Sequence, residues 1–288
     1  MHKTDITPDI RLFVSCHKAF PVPRNELLYP IHVGAALSAD TIEGFLRDDG
    51  GDNISTLNRR YCELTGQYWA WKNVAADYYG FFHYRRYLYP DTKAKRPYCI
   101  RSIPDAETLS GLGFNRLSAL ITQYDLIAPI GEDMHSSVRE HYISAPFHHA
   151  KDLALTEEIV WKLYPSYISA MEQYFGGTVC YFGNIFIMSR PVFDDYCRWL
   201  FPILAEFDRR AEVVGYGPQE LRVDGYLAER LFGVYYTHRR IALRTLELPR
   251  VHFEQDGRLR RKQLFINMLL PPGSMRRAVV KSLSTRRG

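Results

Sequence analysis

Two strand-like segments of this 288-residue chain end in side chains that suit the binding of phosphate. The first covers residues 10–17 and becomes polar at Ser15, and the second covers residues 77–88 and ends in His83-Tyr-Arg-Arg-Tyr87. In open α/β sheets, ligands bind at the carboxyl ends of the strands. Arg85 and Arg86 suit phosphate because a guanidinium donates two parallel hydrogen bonds to its oxygens. The pattern predicts an anion site at this edge, with a pair of surface arginines in salt bridges as the alternative.

Two carboxylates follow on a predicted helix over residues 219–232. Asp224 lies in the middle of the apolar arc of this helix. Because an unpaired buried carboxylate is costly, Asp224 is expected to have a cationic partner, to face a cleft, or to be displaced by a helix start at Gly225. Glu229 lies about 140° away, beside Arg222 and Arg230, at 3.6 residues per turn. The two acids are therefore not expected to act together. For each of them, a purely structural role has the same weight as a functional one.

Several enzyme classes lack their motifs in this sequence. There is no Gly-x-Gly-x-x-Gly, no phosphate-loop lysine motif and no Gly-x-Ser-x-Gly, which disfavours dinucleotide dehydrogenases, kinases and α/β-hydrolases. There is also no Asp-x-Asp, and the five cysteines form no Cys-x-x-Cys. His148, His149 and Asp152 have helical spacing, which is more typical of a satisfied His–Asp pair than of a metal site.

The elements that must position these residues follow a strand–helix–strand order, which implies parallel strand pairing. One apolar stripe of the intervening helix recurs at spacings of four and three residues: Leu57, Tyr61, Leu64, Tyr68 and Trp71. Ser55 is the expected N-cap of this helix. Gly66 within the helix costs about 1 kcal/mol relative to alanine, which suggests that another backbone passes close by.

The remaining pattern predicts one α/β domain over residues 8–257 and a basic tail over residues 258–288. Further strands are expected over residues 125–130 and 184–188. Helices are expected within residues 137–175 and over 191–207, in addition to the helix over 219–232.

Composition and charge exclude several classes of protein. Apolar residues make up 46% and charged residues 24%, as in ordinary globular proteins. The net charge of +5 arises in the tail, which has nine basic residues and no acid, whereas the rest has 28 basic and 32 acidic residues. An acidic domain disfavours a nucleic-acid partner. No apolar run reaches the ~18 residues of a membrane span, and no export signal is evident, so a cytoplasmic protein is expected.

Several motifs resemble the bacterial family known as domain of unknown function 4422. They are Val14-Ser-Cys-His-Lys18, Asp52-Asn-Ile-Ser55 leading to Asn58, Tyr61-Cys-Glu-Leu-Thr-Gly66, Tyr68-Trp-Ala-Trp-Lys-Asn73, Gly80-Phe-Phe-His-Tyr-Arg-Arg-Tyr87, Asn184-Ile-Phe-Ile-Met188, Tyr196-Cys-Arg-Trp-Leu-Phe201 and Gly225-Tyr-Leu-Ala-Glu-Arg-Leu231. The resemblance runs from about residue 10 to residue 236. Members of this family are associated with the synthesis of capsule, exopolysaccharide and lipopolysaccharide by glycosyltransferases.

The resemblance implies a GT-A-like, Rossmann-type nucleotide-sugar-binding domain with a mostly parallel central sheet. It implies a glycosyltransferase of the hexosyltransferase class, with a UDP-linked donor and UDP-galactofuranose as a candidate. The implied nucleotide-binding residues are Ser15, His17, Lys18, Asn58 and Lys72. The implied diphosphate- and sugar-binding residues are His83, Arg85, Arg86 and Tyr87, where arginine charge would replace a metal wholly or in part. A need for Mn²⁺ or Mg²⁺ is left open.

The resemblance also bears on the general base, the acceptor and the tail. Asp224, six residues before Arg230, fits the position of the base in many GT-A enzymes, but an apolar residue is usual there in this family, so Glu229 is the alternative. The implied acceptor is a hydroxyl of a lipid-linked surface glycan. The basic tail would bind the anionic inner face of the cytoplasmic membrane, at about 1 kcal/mol per basic residue. A disordered basic terminus is the alternative for the tail, and a noncatalytic carbohydrate-binding or scaffold subunit is the alternative for the whole chain.

Overall fold

A ten-stranded sheet organises the computed structural model, which describes residues 7–23, 25–102 and 112–254. The ten strands of this sheet are β1 (Ile10–Cys16), β2 (Leu28–His32), β3 (Leu46–Arg47), β4 (Tyr78–His83), β5 (Arg86–Leu88), β6 (Tyr98–Ser102), β7 (Leu126–Pro129), β10 (Phe186–Ser189), β11 (Thr245–Leu248) and β12 (Arg250–Glu254). A separate antiparallel pair is formed by β8 (Glu132–Asp133) and β9 (Val179–Cys180).

The centre of the sheet is mostly parallel, as predicted. Its main path is β11-β7-β10-β4-β1-β2-β3. Strand β1 pairs in parallel with both β2 and β4, which confirms the pairing expected from the strand–helix–strand pattern. Strand β10 is antiparallel to both of its neighbours, β4 and β7. Strand β12 joins the sheet through an antiparallel pair with β5 and a parallel pair with β6.

The helices cover the sheet and bury both of its faces. They are α1 (Asn58–Tyr61), α2 (Leu64–Asn73), α3 (Phe114–Ile121), α4 (Val138–Ser144), α5 (Ala150–Leu163), α6 (Ile168–Gly176), α7 (Arg190–Arg210) and α8 (Val223–Arg239). On β1, Phe13 packs into one hydrophobic cluster, whereas Leu12 and Val14 pack into a second cluster on the opposite face. Strands buried on both faces are continuously apolar, and β1 has that composition.

The helix predicted over residues 57–71 is in fact two helices. The backbone leaves helical geometry at Cys62, whose φ is +51°, between α1 and α2. The prediction of Ser55 as an N-cap is wrong, because its hydroxyl donates to the buried carboxylate of Asp48 and accepts from the backbone N–H of Ala36. The break reorients the residues on either side of Cys62, and this matters for the site described below.

The segment over residues 77–88 is likewise not one strand. It forms β4, a turn at Tyr84 and Arg85, and β5, with His83 opposite Arg86 in antiparallel register. The two arginines therefore do not have to point to opposite faces of a continuous strand. The chain reverses where β4 ends, so both arginines lie at the same edge of the sheet.

Gly66 faces side chains and not another backbone, contrary to the sequence-based expectation. A Cβ atom at this position would lie 2.9 Å from Val33 Cγ1 and 3.6 Å from Ile31 Cδ1. We expect Gly66→Ala to lower the free energy of unfolding by about 1–2 kcal/mol, because overpacking outweighs the gain in helix propensity. Urea denaturation measures this change. Gly176→Ala, where no atom lies within 4 Å of the new Cβ, is the matched control and is expected to be neutral or stabilising.

None of the helices among the described residues is both long enough and apolar enough to cross a membrane. The predicted basic tail over residues 258–288 lies outside the described residues, and so does the end of the predicted domain after residue 254.

Candidate functional site

A cleft of about 860 Å³ opens at the carboxyl ends of β1 and β4. Helix α1, the β4–β5 turn and the chain that leads into α8 form its walls. Seven of the residues predicted from the sequence line this cleft: Ser15, His17, Lys18, Asn58, His83, Arg85 and Arg86. The structure thus brings together two strand ends and one helix that are separated by up to about 70 residues of sequence, as the parallel arrangement requires.

Positive charge dominates the cleft. Its permanent cations are Lys18, Arg59, Arg85, Arg86 and Arg222. Its carboxylates are Glu63 and Glu254. The pKa of His17 is lowered by partial desolvation and then by the nearby charges of Lys18, Arg85 and Arg222. A concave surface with this excess of cations attracts anions and binds them with charge-assisted hydrogen bonds.

Aromatic rings hold the outer part of the cleft in place. The ring of Tyr84 lies 5.2 Å from that of His17 and 4.7 Å from that of Phe20, both edge-on. The guanidinium of Arg85 lies 5.1 Å from the centre of the Tyr84 ring, and its Nη1 is 3.9 Å from Glu254 Oε2. Stacking on an aromatic face orients an arginine while leaving its edge open for hydrogen bonds.

His83 is held as a neutral ring at the base of the cleft. Its Nε2 donates to the carbonyl of Gly183 at 2.7 Å, since a carbonyl oxygen only accepts. Burial lowers the pKa of His83, against the opposing effect of Glu63 and with the added effect of the Arg86 charge. The other ring nitrogen, Nδ1, is therefore an acceptor. His83 thus contributes a polar contact, whereas the neighbouring arginines contribute the charge.

Asn58 is fixed by the helix break. Its Nδ2 donates to the carbonyl of Cys62 at 2.6 Å and to Thr65 Oγ1 at 3.0 Å. The side chain lies against Gly34, where a Cβ atom would come within 2.6 Å of it. Gly34 also has a φ of +71°, which glycine adopts without strain. Asn58 therefore connects the α1–α2 junction to the chain that follows β2.

Two predicted binding residues lie away from the cleft. Tyr87 is fully buried in the core, and its hydroxyl donates to the carbonyl of Tyr84, so the side chain does not line the cleft. Lys72 lies on the solvent side of α2, with its Nζ 3.7 Å from the ring centre of Trp71. The break at Cys62 places Lys72 on a different helix, α2, from Asn58 on α1. Lys72 does not line the cleft, and its nucleotide-binding role stays a prediction.

Asp224 has a cationic partner, which is one of the three arrangements expected from the sequence. Its carboxylate is completely buried and accepts from Arg60 Nε at 2.9 Å. The same guanidinium pairs with Asp208. Burial, together with the charge of Asp208, raises the pKa of Asp224 to about 8. The side chain does not line the cleft, and its role as the general base stays a prediction.

Glu229 lies next to the cleft but does not line it. Its Oε1 accepts from the backbone N–H of Gly183 at 2.7 Å, and its Oε2 is 3.6 Å from Arg230 Nη1. Burial raises the pKa of Glu229, and the adjacent charge of Arg230 opposes this rise. The carboxylate is thus held between a backbone donor and a buried arginine, which suits a supporting role rather than contact with a substrate.

Sequence reasoning missed several cleft residues, chiefly Arg59, Glu63, Arg222 and Glu254. Arg59 and Glu63 flank the break between α1 and α2. The sequence does not indicate where that break falls, because a cysteine with a positive φ is uncommon and is not expected from the residue type. Arg222 was noted only as a neighbour of Glu229, and it lies in the turn just before α8, with its Nε 3.3 Å from Cys62 Sγ.

The residues of the cleft fit an anion better than a metal ion. In the part of the chain that the structure describes, no three His, Cys, Asp or Glu side chains are grouped to hold a metal. Of the two carboxylates in the cleft, Glu254 lies beside Arg85 and Glu63 accepts from an amide.

The chain has a mixed α/β fold with a mostly parallel central sheet, and its cation-rich cleft lies at the carboxyl ends of β1 and β4. The chain belongs to the family described as Domain of unknown function (DUF4422), whose profile matches residues 11–240. No curated protein matches the chain. A solved structure, titled as the apo form of the bifunctional glycosyltransferase WbbM, is similar over 85% of this chain at 32% identity and a TM-score of 0.80. This chain spans 45% of that protein.

Proposed function

We propose that the chain is a glycosyltransferase that moves a hexose from a nucleotide-sugar donor to a hydroxyl of a surface glycan. The similarity to a bifunctional glycosyltransferase supports the class of reaction. The donor is a UDP-sugar in this proposal, with UDP-galactofuranose as the candidate from the family resemblance. The acceptor is a lipid-linked capsule, exopolysaccharide or O-antigen chain. The basic tail would hold the enzyme at the inner face of the cytoplasmic membrane, where such lipid-linked chains carry anionic phosphates.

The excess of cations in the cleft is the observation that carries this proposal. Five permanent cations and two carboxylates line a volume of about 860 Å³. Pockets for ligands of nucleotide-sugar size fall in the range of about 300–1,000 Å³. A nucleoside diphosphate combines a flat ring with two phosphates. The aromatic side chains around Tyr84 and the arginines around Arg86 match these two parts.

The same charges would assist the chemistry. When the bond between the sugar and the diphosphate breaks, negative charge accumulates on the leaving oxygen. Donors that are already oriented toward that position stabilise the transition state more than the ground state. Arg85 lies in the turn between the paired strands β4 and β5 and is oriented by Tyr84, and Arg86 begins β5. They are therefore preorganised for this role, which many enzymes of this fold assign to a metal ion.

Isothermal titration calorimetry with UDP and with uridine tests the proposal. We expect micromolar affinity for UDP in the absence of metal and at least 100-fold weaker binding of uridine, because the cations act on the diphosphate. Raising the salt concentration should weaken UDP binding more than uridine binding. UDP binding that requires Mn²⁺ would contradict arginine replacement of the metal. Carbohydrate binding without UDP binding would favour the scaffold alternative.

A further inference from the structure

A strained turn ties together three titratable side chains at the base of the cleft. Gly183 and Asn184, just before β10, have φ values of +94° and +48°. The carbonyl of Gly183 accepts from His83, and its N–H donates to Glu229, both at 2.7 Å. Asn184 Nδ2 donates to Glu63 Oε1 at 2.6 Å. A non-glycine residue in the left-handed region costs free energy, and such strain is concentrated at functional sites.

Glu63 is the member of this group that reaches the cleft. It lines the cavity with 14% of its side chain exposed, and it follows directly after the helix break at Cys62. Its Oε1 is held by Asn184 and lies 3.7 Å from His83 Nε2. Since His83 is neutral, these two direct partners are an amide and an imidazole. Among the described residues, no lysine or arginine forms an ion pair with this carboxylate, whereas Asp224 and Glu254 each lie beside an arginine.

The other acids near the cleft are less suited to proton transfer. Asp224 is buried behind α1 and paired with Arg60. Glu229 is held by Gly183 and lies beside Arg230. Glu254 lies beside Arg85, on the side of the cleft where the cations would hold phosphate. Among the described carboxylates, Glu63 alone combines contact with the cleft and neutral direct partners.

We propose that Glu63 is the general base that accepts the proton of the acceptor hydroxyl, and that Asn184 is its positioning residue. The inference rests on the proposed glycosyl transfer. The acceptor oxygen forms a bond to the anomeric carbon while the bond from that carbon to the diphosphate oxygen breaks. The electron pair of the broken bond leaves with the diphosphate, and the acceptor proton passes to Glu63. Attack opposite the leaving group inverts the anomeric configuration.

Glu63→Gln tests this assignment, because a glutamine oxygen still accepts from Asn184 and only the basicity is lost. The assay measures UDP release from UDP-galactofuranose, UDP-galactose and UDP-glucose with glycolipid extract as the acceptor, and calorimetry measures UDP affinity. We expect kcat to fall about 100- to 10,000-fold while the Kd for UDP changes less than threefold. Asn184→Ala should lower kcat about tenfold, because Glu63 loses the hydrogen bond that positions it. The Kd for UDP should again change less than threefold. Glu172→Gln, on the exposed side of α6, is the matched control.

The outcomes separate this inference from the proposed function. If E63Q keeps its turnover within tenfold of the wild type, or if its UDP affinity falls as much as its kcat, the assignment of Glu63 as the general base is overturned. Neither result contradicts the proposed function. A wild-type protein that binds UDP but releases none from any of the three donors contradicts the proposed function, and the role of Glu63 falls with it. If E63Q is unfolded by circular dichroism, Glu63→Asp replaces it. A kcat at least tenfold lower with unchanged Kd then supports the base, and wild-type turnover overturns it.

Discussion

Replacing Arg86 with alanine is expected to weaken the binding of UDP about 10- to 100-fold. A hydrogen bond from a charged donor contributes about 1.5–3 kcal/mol, and each 1.4 kcal/mol is a factor of ten in affinity. Arg86 lines the cleft as the first residue of β5, opposite His83 in the hairpin. Its charge acts on both neighbours: it adds to the effect of burial in lowering the pKa of His83, and it opposes the effect of burial, which raises the pKa of Glu229. It therefore lies at the base of the cleft, where a diphosphate would sit.

Two further variants make this result interpretable. Arg86→Lys keeps the charge but loses the planar fork, so an intermediate loss of about three- to tenfold is expected. Arg198→Ala removes an arginine whose side chain is 72% exposed on α7, and UDP affinity should not change. Calorimetry at one fixed salt concentration measures all three. An R86A protein with wild-type affinity for UDP would mean that this arginine does not contact the diphosphate.

The ends of β1 and β4 show what the sequence could predict about the site. A buried apolar run with polar residues at its end is a local pattern, and parallel strands place their carboxyl ends at one edge. The meeting of Ser15, His17 and Lys18 with His83, Arg85 and Arg86 followed from these two rules. Their roles in binding stay predictions. For Asp224, the apolar arc allowed a cationic partner, a position facing a cleft or a displaced helix start, and the structure shows the first, with Arg60 as the cation.

The errors share a physical origin in single backbone positions. The break at Cys62 and the turn at Gly183 and Asn184 depend on positive φ values that no residue pattern announces. The first break turned Lys72 away from the cleft and brought Glu63 into it. The end of β4 at His83 placed Tyr87 on a new strand with its ring in the core. Periodicity predicts which residues share a face only while the element continues.

Replacing Arg60 with methionine is expected to destabilise the protein by an amount that depends on pH. Arg60 joins α1, which carries Asn58 and Arg59 into the cleft, to α8 through Asp224 and to α7 through Asp208. Removing one partner of a buried pair costs about 3–5 kcal/mol because the other charge stays buried. We expect about 3 kcal/mol at pH 9, the lower end, since the Arg60 side chain is 21% exposed.

The cost should be smaller in acid, and the sign follows from Asp224. Burial raises its native pKa to about 8 from 3.8, so the native protein retains a proton that the unfolded chain releases. This contribution to stability is complete below pH 3.8 and is lost as the pH rises through about 8. At pH 5.5 the carboxyl is neutral and needs no cation. The loss in R60M then reduces to the partly exposed pair with Asp208, about 1 kcal/mol.

Urea denaturation of the wild type, R60M, D224N and the double variant at pH 5.5 and pH 9 measures these changes in the free energy of unfolding. In the D224N background the cost of losing Arg60 should be the same at both pH values, because the titrating carboxyl is gone. Arg198→Met, which breaks an exposed pair on α7, should cost less than about 0.5 kcal/mol throughout. If R60M lowers the free energy of unfolding by the same amount at both pH values while Asp224 is present, the Asp224 carboxyl does not retain its proton. In that case Arg60 would hold α1 through its ion pair with Asp208, whose other oxygen accepts from the Tyr61 hydroxyl at 2.7 Å.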